Sequence, residues 1–481
     1  MHLAVILKVT GILLTLFSFV LVLPMAVAAI YGENTYATFG WGFGITLIAG
    51  VLLMIAGRGD RELRSGDGFM ITVLFYLGLG LFGSIPIYLA ESVDAGFTDA
   101  AFESLSALTT TGATVIVGLD DLPRSILFYR QLLQWFGGMG IIVLAVAILP
   151  MLGIGGMQLY RAESPGPVKD NKLTPRITET AKALWYLYLG ITLLCALCYW
   201  LAGMSPFDAL CHSFSTVAIG GFSTHDASLG YFDNPGIEII AIVFMIIAGI
   251  NFGLHFMVLN RRNPVLYTQD REVRAYLFVL AAVSVIVCSL LLRYPDASPA
   301  PIREGIFQAV SLATTTGFAT TNFSIWPSVA PVILLFAAFA GGCAGSTAGG
   351  IKIIRVLLIY LQGAREIKRL IHPNGVFPVK LGRQKVPDRV IEAVWGFFSV
   401  YVIAFLTLVT GVMYFSDLDF LTAFSAVGAC LNNLGPGLGD VAENYAGLSA
   451  GVKWTLMFAM LLGRLEIFTL LVLFTPAFWR R

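Results

Sequence analysis

Apolar runs of 18 to 25 residues follow one another from end to end of the chain, separated by short polar or basic links. Soluble cores alternate or stripe their apolar positions, whereas unbroken runs of this length match the thickness of a bilayer when helical. Residues from about 5 to 30 and from about 39 to 57 predict a leading helix pair. Later spans are expected near 69–90 and 126–149, 183–203 and 235–259, 275–292 and 328–360, and 391–414 and 453–476. Each of these four pairs encloses an apolar insert, at 98–115, 207–224, 303–320 and 419–440. The dozen or so residues before each insert's glycine suffice for a helix that enters a membrane but not for one that crosses it. The predicted fold is an all-α polytopic membrane protein. Four pseudo-symmetric helix, pore half-helix, helix units surround one pore, preceded by an extra transmembrane helix pair. The divisions are 1–67 for the leading pair and its link, then 68–182, 183–274, 275–390 and 391–481 for the four units.

The inserts repeat one pattern with variation. Thr314, Thr315, Thr316, Gly317, Phe318 is the clearest copy, and Thr109, Thr110, Thr111, Gly112, Ala113 is the first. Ala218, Ile219, Gly220, Gly221, Phe222 forms a third, and Asn432, Asn433, Leu434, Gly435, Pro436 a weaker fourth. Asp99 and Asp208 stand thirteen residues before their glycines, Phe102 and Phe307 ten before, and Ser106, Ser215 and Ser311 six before. The glycines are spaced roughly 100 to 120 residues apart, too far for a solenoid but suited to a two-span membrane unit.

Composition strengthens the membrane reading: 57% of the 481 residues are hydrophobic, 12% are charged, and mean hydropathy is +0.82. The net charge of +1 becomes informative only when sorted by segment. Arg58, Arg61 and Arg64 follow the leading pair, and Arg161, Lys169, Lys172, Arg176 and Lys182 follow unit one. Arg261, Arg262, Arg271 and Arg274 leave unit two, and Arg365, Lys368, Arg369, Lys380, Arg383, Lys385 and Arg389 leave unit three. With the Arg480, Arg481 tail these gather on one side, while the insert side keeps Arg124, Arg130, Arg293, Arg303 and Lys453. The positive-inside rule then puts both termini in the cytoplasm and the inserts outside. The opening run reads as the first span, not a cleaved leader.

The inserts suggest a selectivity filter. Asp99 or Thr98 in unit one, and Ser205 with Pro206 and Asp208 in unit two, offer helix caps. A half-helix so started aims its carbonyl end at the membrane centre, where it favours a cation. Gly112, Gly221, Gly317 and Gly435 allow backbone angles costly for other residues. The strands Thr110, Thr111, Gly112; Ile219, Gly220, Gly221; Thr315, Thr316, Gly317; and Asn433, Leu434, Gly435 then replace an ion's water with carbonyls, potassium being favoured over sodium. The competing reading, glycines that only relieve helix crowding, leaves the repeated threonines unexplained. Unit three also carries Gly341, Gly342, Cys343, Ala344, Gly345, Ser346, Thr347, Ala348, Gly349 and Gly350 within its second span. A helix is unstable there, so a mid-membrane loop is expected that gates the path, the alternative being glycines for close packing. Arg464 inside the last span either lines the path or pairs with Glu466 or another acid. Lys352 and Arg355 are pore-side charges or residues reaching the cytoplasmic surface.

Other chemistry is sparse. Five histidines show no metal-ligand spacing, His212 reads as a locally bonded helix residue, and His225 flanks the second filter. Asp99 and Asp208 either concentrate cations at the mouth or cap helices. Six cysteines read as small apolar side chains. Gly153, Gly155 and Gly156 lack the ending of a phosphate loop, so no bound organic cofactor is expected on this chain. Nothing pairs a nucleophile with a base, so no enzyme is expected, and no nucleic-acid partner either.

The stretches Phe102 to Ile116, His212 to Ser228, Ser311 to Thr321, Gly341 to Arg355 and Asn432 to Gly439 resemble the TrkH type of bacterial potassium-uptake protein, part of the wider Trk/Ktr/HKT group. The resemblance covers essentially the whole chain. It implies potassium as the transported ion, a homodimer in the bacterial inner membrane among lipid, and regulation by a cytosolic nucleotide-binding ring similar to TrkA. It also implies filter roles for Gly112, Gly221, Gly317 and Gly435, a gate at Gly341 to Gly350, and a pore-facing Arg464. Proton-coupled potassium symport is the alternative mechanism. A non-transporting receptor or scaffold subunit is the alternative of another class.

Overall fold

A computed structural model describes residues 2–57, 65–140, 177–327, 329–382 and 384–479. Outside the described residues lie Arg58, Arg61 and Arg64, the second half of the unit-one closing span, the link with Arg161, Lys169, Lys172 and Arg176, the Gly153 cluster, Arg383, and the Arg480, Arg481 tail.

The leading pair is a 29-residue span, Leu3–Tyr31, and a 21-residue span, Tyr36–Ala56. Gly32 turns the chain between them at φ 69°. They cross closely because glycines replace side chains at the contact: a methyl group on Gly11 would lie 2.6 Å from the Gly50 carbonyl oxygen. The pair docks on unit one, where the Glu33 carboxylate accepts from the backbone N–H of Arg124 (2.7 Å) and Ser125 (3.0 Å).

The four repeats appear as expected. Their opening spans are Asp67–Leu89, Lys182–Leu201, Arg271–Arg293 and Asp388–Tyr414. Their pore helices are Phe97–Leu108, Pro206–Ala218, Pro301–Ala313 and Phe420–Asn432. Ser205 caps the second, accepting from the Asp208 N–H, and Asp419 caps the fourth. The first starts differently: Gly96 is at its cap position with no side-chain bond, so neither Thr98 nor Asp99 caps it. Cys195 and Cys198, three apart on one opening helix, are both free thiols.

Breaks occur in more closing spans than that of unit three, the one in which an interruption was expected. In unit two, Pro235–Ala248 and Phe252–Arg261 meet at 92°, and in unit four Ala450–Arg464 and Phe468–Phe474 meet at 108°. In unit three Ala330–Ala340 ends at Gly341 and Ile353–Ile371 begins after the expected loop. In unit one Arg124–Trp135 passes into a wider π-turn at Phe136–Gly140. Among the described residues six helices are long and apolar enough to cross a membrane, or eight if each bent pair is one span. The other two expected spans are the unit-three helix, interrupted by its loop, and the unit-one helix.

Candidate functional site

The four insert strands share one backbone. The N–H of the residue before each glycine donates five residues back: Thr111 to Ser106 (2.8 Å), Gly220 to Ser215 (2.8 Å), Thr316 to Ser311 (2.8 Å) and Leu434 to Ala429 (2.9 Å). The residue two before each glycine is left-handed, with φ 53° at Thr110, 54° at Ile219, 66° at Thr315 and 54° at Asn433. The glycines follow at φ 81°, 77°, 85° and 97°. Strained non-glycine backbone repeated four times in register marks a geometry that the surrounding structure imposes.

The strands close a ring. A methyl group on Gly112 would lie 2.1 Å from the Gly220 carbonyl oxygen, on Gly221 2.0 Å from that of Thr316, and on Gly317 2.1 Å from that of Leu434. On Gly435 it would lie 2.8 Å from the Thr111 oxygen, which returns the ring to unit one. Gly112, Gly221 and Gly317 remain partly exposed inside an otherwise buried cluster. The hydroxyls of Thr109 and Thr111 bond at 2.8 Å, and those of Thr314 and Thr316 at 2.7 Å. Unit four substitutes Asn433, whose amide donates to Thr111 Oγ1 and the Met460 carbonyl, both at 3.0 Å.

Behind the ring stands a polar frame that composition and spacing did not reveal. Glu103 and Arg130 are buried and paired at 2.6 Å. Glu103 also accepts from Thr114 Oγ1 (2.9 Å) and the Val115 N–H (2.9 Å). Arg130 reaches the Ser223 carbonyl at 3.2 Å and lies over the Phe222 ring. Gln134 donates to the Gly220 carbonyl (2.6 Å) and accepts from the Phe222 N–H (3.1 Å), while Gln131 donates to the Phe222 carbonyl (3.1 Å). The strand of unit two is thereby bolted to the closing helix of unit one. In unit four the strand is held from within the same unit, the Tyr445 hydroxyl donating to the Gly435 carbonyl at 2.7 Å. The signal available in the sequence was the polar group Arg130, Gln131, Gln134 in an apolar span, with the lone Glu103 in the first pore helix.

The unit-three loop packs against the pore-helix end of the ring. Gly349 N–H donates to Thr315 Oγ1 (2.7 Å), Gly350 N–H to the Asn432 carbonyl (3.0 Å), and Thr347 Oγ1 to the Val217 carbonyl (2.9 Å). The loop so touches the strand or pore-helix end of units two, three and four. It also fills the break in unit two, for Cys343 N–H donates to the Gly249 carbonyl (2.9 Å) and Phe252 N–H to that of Gly345 (3.0 Å). Gly341 and Gly342 form its tight entry, Ala344 N–H donates to Glu272 at 2.7 Å, and Ser346 Oγ turns back to the Cys343 carbonyl.

Arg464 completes the underside from unit four. Its guanidinium donates to Thr110 Oγ1 (3.2 Å), the Thr347 carbonyl (3.4 Å), the Gly138 carbonyl (2.6 Å) and the Gly137 carbonyl. Glu466 turns away to pair with Arg355, because the backbone after Arg464 enters φ 52° at Glu466 and 56° at Ile467. Lys352, partly buried at φ 79°, folds its ammonium back onto the Ala348 carbonyl.

On the insert mouth, Asp99 pairs with Lys453 at 2.6 Å. Buried His212 bonds locally, to the Asp208 carbonyl and Ser223 Oγ, both at 2.9 Å. His225 stacks on Tyr231 at 3.5 Å and touches Asp120 of unit one and Asp208 of unit two. Burial pulls the His225 imidazole down, but the carboxylates of Asp208 and Asp120 outweigh it and hold the value above the ordinary one. Burial likewise pushes Asp208 up, yet bonds from His225, Ser205 and Thr224 hold it well below the carboxylate range. A raised histidine contributes stability below its unfolded value of about 6.5 and loses it as pH climbs through the folded value. The depressed Asp208 contributes above about 3.9 and loses that as pH falls through its folded value. Thermal melting should therefore show the wild type losing stability as pH rises above about 6.5, with His225→Gln flattening that loss. Parallel curves for the two proteins would mean that the contact carries no charge.

A mostly helical membrane chain whose four re-entrant strands close one ring has the architecture of a membrane transport protein. The profile of the TrkH family, described as "Cation transport protein", matches residues 36–481. The chain is 55% identical over 481 residues to "Trk system potassium uptake protein TrkH" of Vibrio parahaemolyticus, covering 99% of each. It is 53% identical over 484 residues to the protein of that name from Escherichia coli, covering 100% of each, and 40% identical to the Escherichia coli "Trk system potassium uptake protein TrkG". A solved structure, "Crystal Structure of the Potassium Transporter TrkH from Vibrio parahaemolyticus", superposes with TM-score 0.91 at 52% identity over 100% of both chains. The chain belongs to the TrkH family of cation transport proteins, a family of transporters and not of enzymes.

Proposed function

We propose that the chain carries potassium inward across the bacterial inner membrane through a gated, channel-like filter. The observation that carries this reading is the closed ring in which each filter glycine abuts a carbonyl of the next unit. Four strands held in one strained backbone suit replacement of an ion's hydration shell by fixed oxygens. Thr110, Thr111, Gly112, Ile219, Gly220, Gly221, Thr315, Thr316, Gly317, Asn433, Leu434 and Gly435 form that filter. The names of the relatives support potassium as cargo.

The segment Gly341 to Gly350 is the gate in this reading. Its bonds to Thr315, Val217 and Asn432 support this role, since a moving loop would have to break them together. Arg464 and Lys352 supply the electrostatic barrier below the filter. Both termini lie in the cytoplasm, and the chain works as a homodimer whose gate answers to a cytosolic TrkA-like ring that binds nucleotides. The "Trk system" in the relatives' names supports partner subunits in general.

Flux through purified protein in liposomes tests the mechanism, with voltage clamped by ionophores and a pH gradient imposed or removed. Potassium-selective flux indifferent to the proton gradient is expected. Accumulation of potassium against its electrochemical gradient only when protons flow would replace the pore with symport. An absence of cation flux in the presence of the partner ring would favour a scaffold. In the same assay Arg464→Gln should raise potassium flux by about fivefold or more, since a unit charge several ångströms from the path is worth at least ~1 kcal/mol at an effective dielectric of about 20. Unchanged flux would place the barrier elsewhere.

A further inference from the structure

The span Arg271–Arg293 opens with Arg271, Arg274, Ala275 and Phe278 at spacings of three, four and seven, which puts them on one helix face. Across from them Leu357 and Leu361 stand one turn apart on the helix Ile353–Ile371. Leu381, in the short strand Lys380–Leu381, closes one end of an open groove of about 360 Å³ lined by these residues. Both arginines are exposed, as is Phe278 at 73%.

Nearby acids are committed elsewhere. Asp270 caps its own helix through the Val273 N–H at 3.0 Å, Glu272 accepts from the Ala344 and Ile354 N–H groups, and Asp388 pairs with Arg365 at 2.8 Å. Among the described residues neither Arg271 nor Arg274 has an ion-pair partner. The groove therefore has two uncompensated guanidinium groups at its polar end. From there Ala275 and Phe278 lead roughly 6 to 10 Å into the span at 1.5 Å per residue.

We propose that this groove binds one anionic glycerophospholipid, its phosphate between Arg271 and Arg274 and an acyl chain along Ala275, Phe278, Leu357 and Leu361. Paired arginines match a phosphate at headgroup level, and an apolar floor running inward matches a tail. A soluble anion would make no use of that floor. Placement in the cytoplasmic leaflet rests on the sidedness proposed above. The helix Ile353–Ile371 begins two residues after the glycine-rich loop, so the lipid braces that helix against its neighbour and steadies the loop's downstream anchor.

The full chain, in nanodiscs of phosphatidylcholine with a minor fraction of phosphatidylglycerol, tests this by mass spectrometry of the lipid retained after gentle detergent extraction. At about fivefold per arginine, phosphatidylglycerol should be retained over phosphatidylcholine by roughly 25-fold relative to its share of the disc. The double change Arg271→Gln, Arg274→Gln should bring retention near parity, whereas Arg261→Gln, Arg262→Gln should leave it intact. Ala275→Trp, which fills the floor without altering charge, should also abolish retention in protein whose melting is unchanged. The proposal is overturned if the wild type shows no preference, if both arginine pairs matter equally, or if millimolar inorganic phosphate displaces the lipid. Both leaflets of the disc carry the anionic lipid, so an inverted topology would leave the preference intact, and only a missing site removes it.

Discussion

Gly317→Ala should cut potassium uptake by on the order of a hundredfold, a loss equivalent to about 3 kcal/mol in the barrier. Two costs combine there. A non-glycine residue at φ 85° is strained by about 1–2 kcal/mol. The new methyl would also lie 2.1 Å from the Leu434 carbonyl oxygen, which is backbone and can move only by deforming the strand of unit four. Gly32 provides the control, because at φ 69° it has nothing within 4 Å of an added methyl. Gly32→Ala should therefore report the dihedral cost alone and leave transport near wild type. Gly112→Ala and Gly221→Ala should match Gly317→Ala, with Gly435→Ala milder because its nearest carbonyl oxygen is 2.8 Å away. The measurement is growth on limiting potassium together with flux in liposomes, each normalised to protein in the membrane. Equal and mild effects at all five glycines would show that the ring contacts do not shape the path.

The second large effect belongs to Glu103. Glu103→Gln should destabilise the protein by about 3–5 kcal/mol, because it strands the buried Arg130 guanidinium without its counter-charge. The expected signature is a lower Tm in detergent and potassium/sodium discrimination that falls with it, since Glu103 and Arg130 tie down Thr114, Val115 and Ser223 just past two filter strands. Adding Arg130→Met removes the stranded charge, so the double variant should regain part of the lost Tm. Discrimination should stay low, because Ser223 has then lost its donor. A double variant as selective as wild type would reduce the pair to a structural filler.

The repeated insert strand was legible because backbone chemistry selects the residue: a strand that must turn left-handed against a neighbour's carbonyl takes glycine, and four inserts kept it in register. The unit-three interruption was legible for a related reason, since five glycines between Gly341 and Gly350 leave a helix little to gain. The bends after Ala248 and Arg464, of 92° and 108°, were not. Gly249 and Gly463 look like any small residue in an apolar helix, and what breaks unit two is a competitor from far along the chain, the Cys343 N–H that takes the Gly249 carbonyl. Arg130 illustrates the same limit. Sorting charges by segment counted it as one more outer basic residue, whereas its role depends on Glu103, 27 positions earlier, and Ser223, 93 later. Arg464 was recognisable as a costly charge within a span, but the pairing of Glu466 with Arg355 instead follows from a reversal of the chain at Glu466 that no residue type there announces.

Units one and three stand opposite each other in the ring, and in both a pair of threonine hydroxyls links the first and third positions of the strand. Units two and four, facing each other on the other diagonal, have no such link and end their pore helices directly in left-handed Ile219 and Asn433. The two diagonals of the ring are thus chemically unlike. In a pore of four identical chains every substitution is imposed four times at once; here one quadrant can be edited while three stay native. The ring can be dissected wall by wall, and a change on one diagonal can be set against its counterpart on the other within a single molecule.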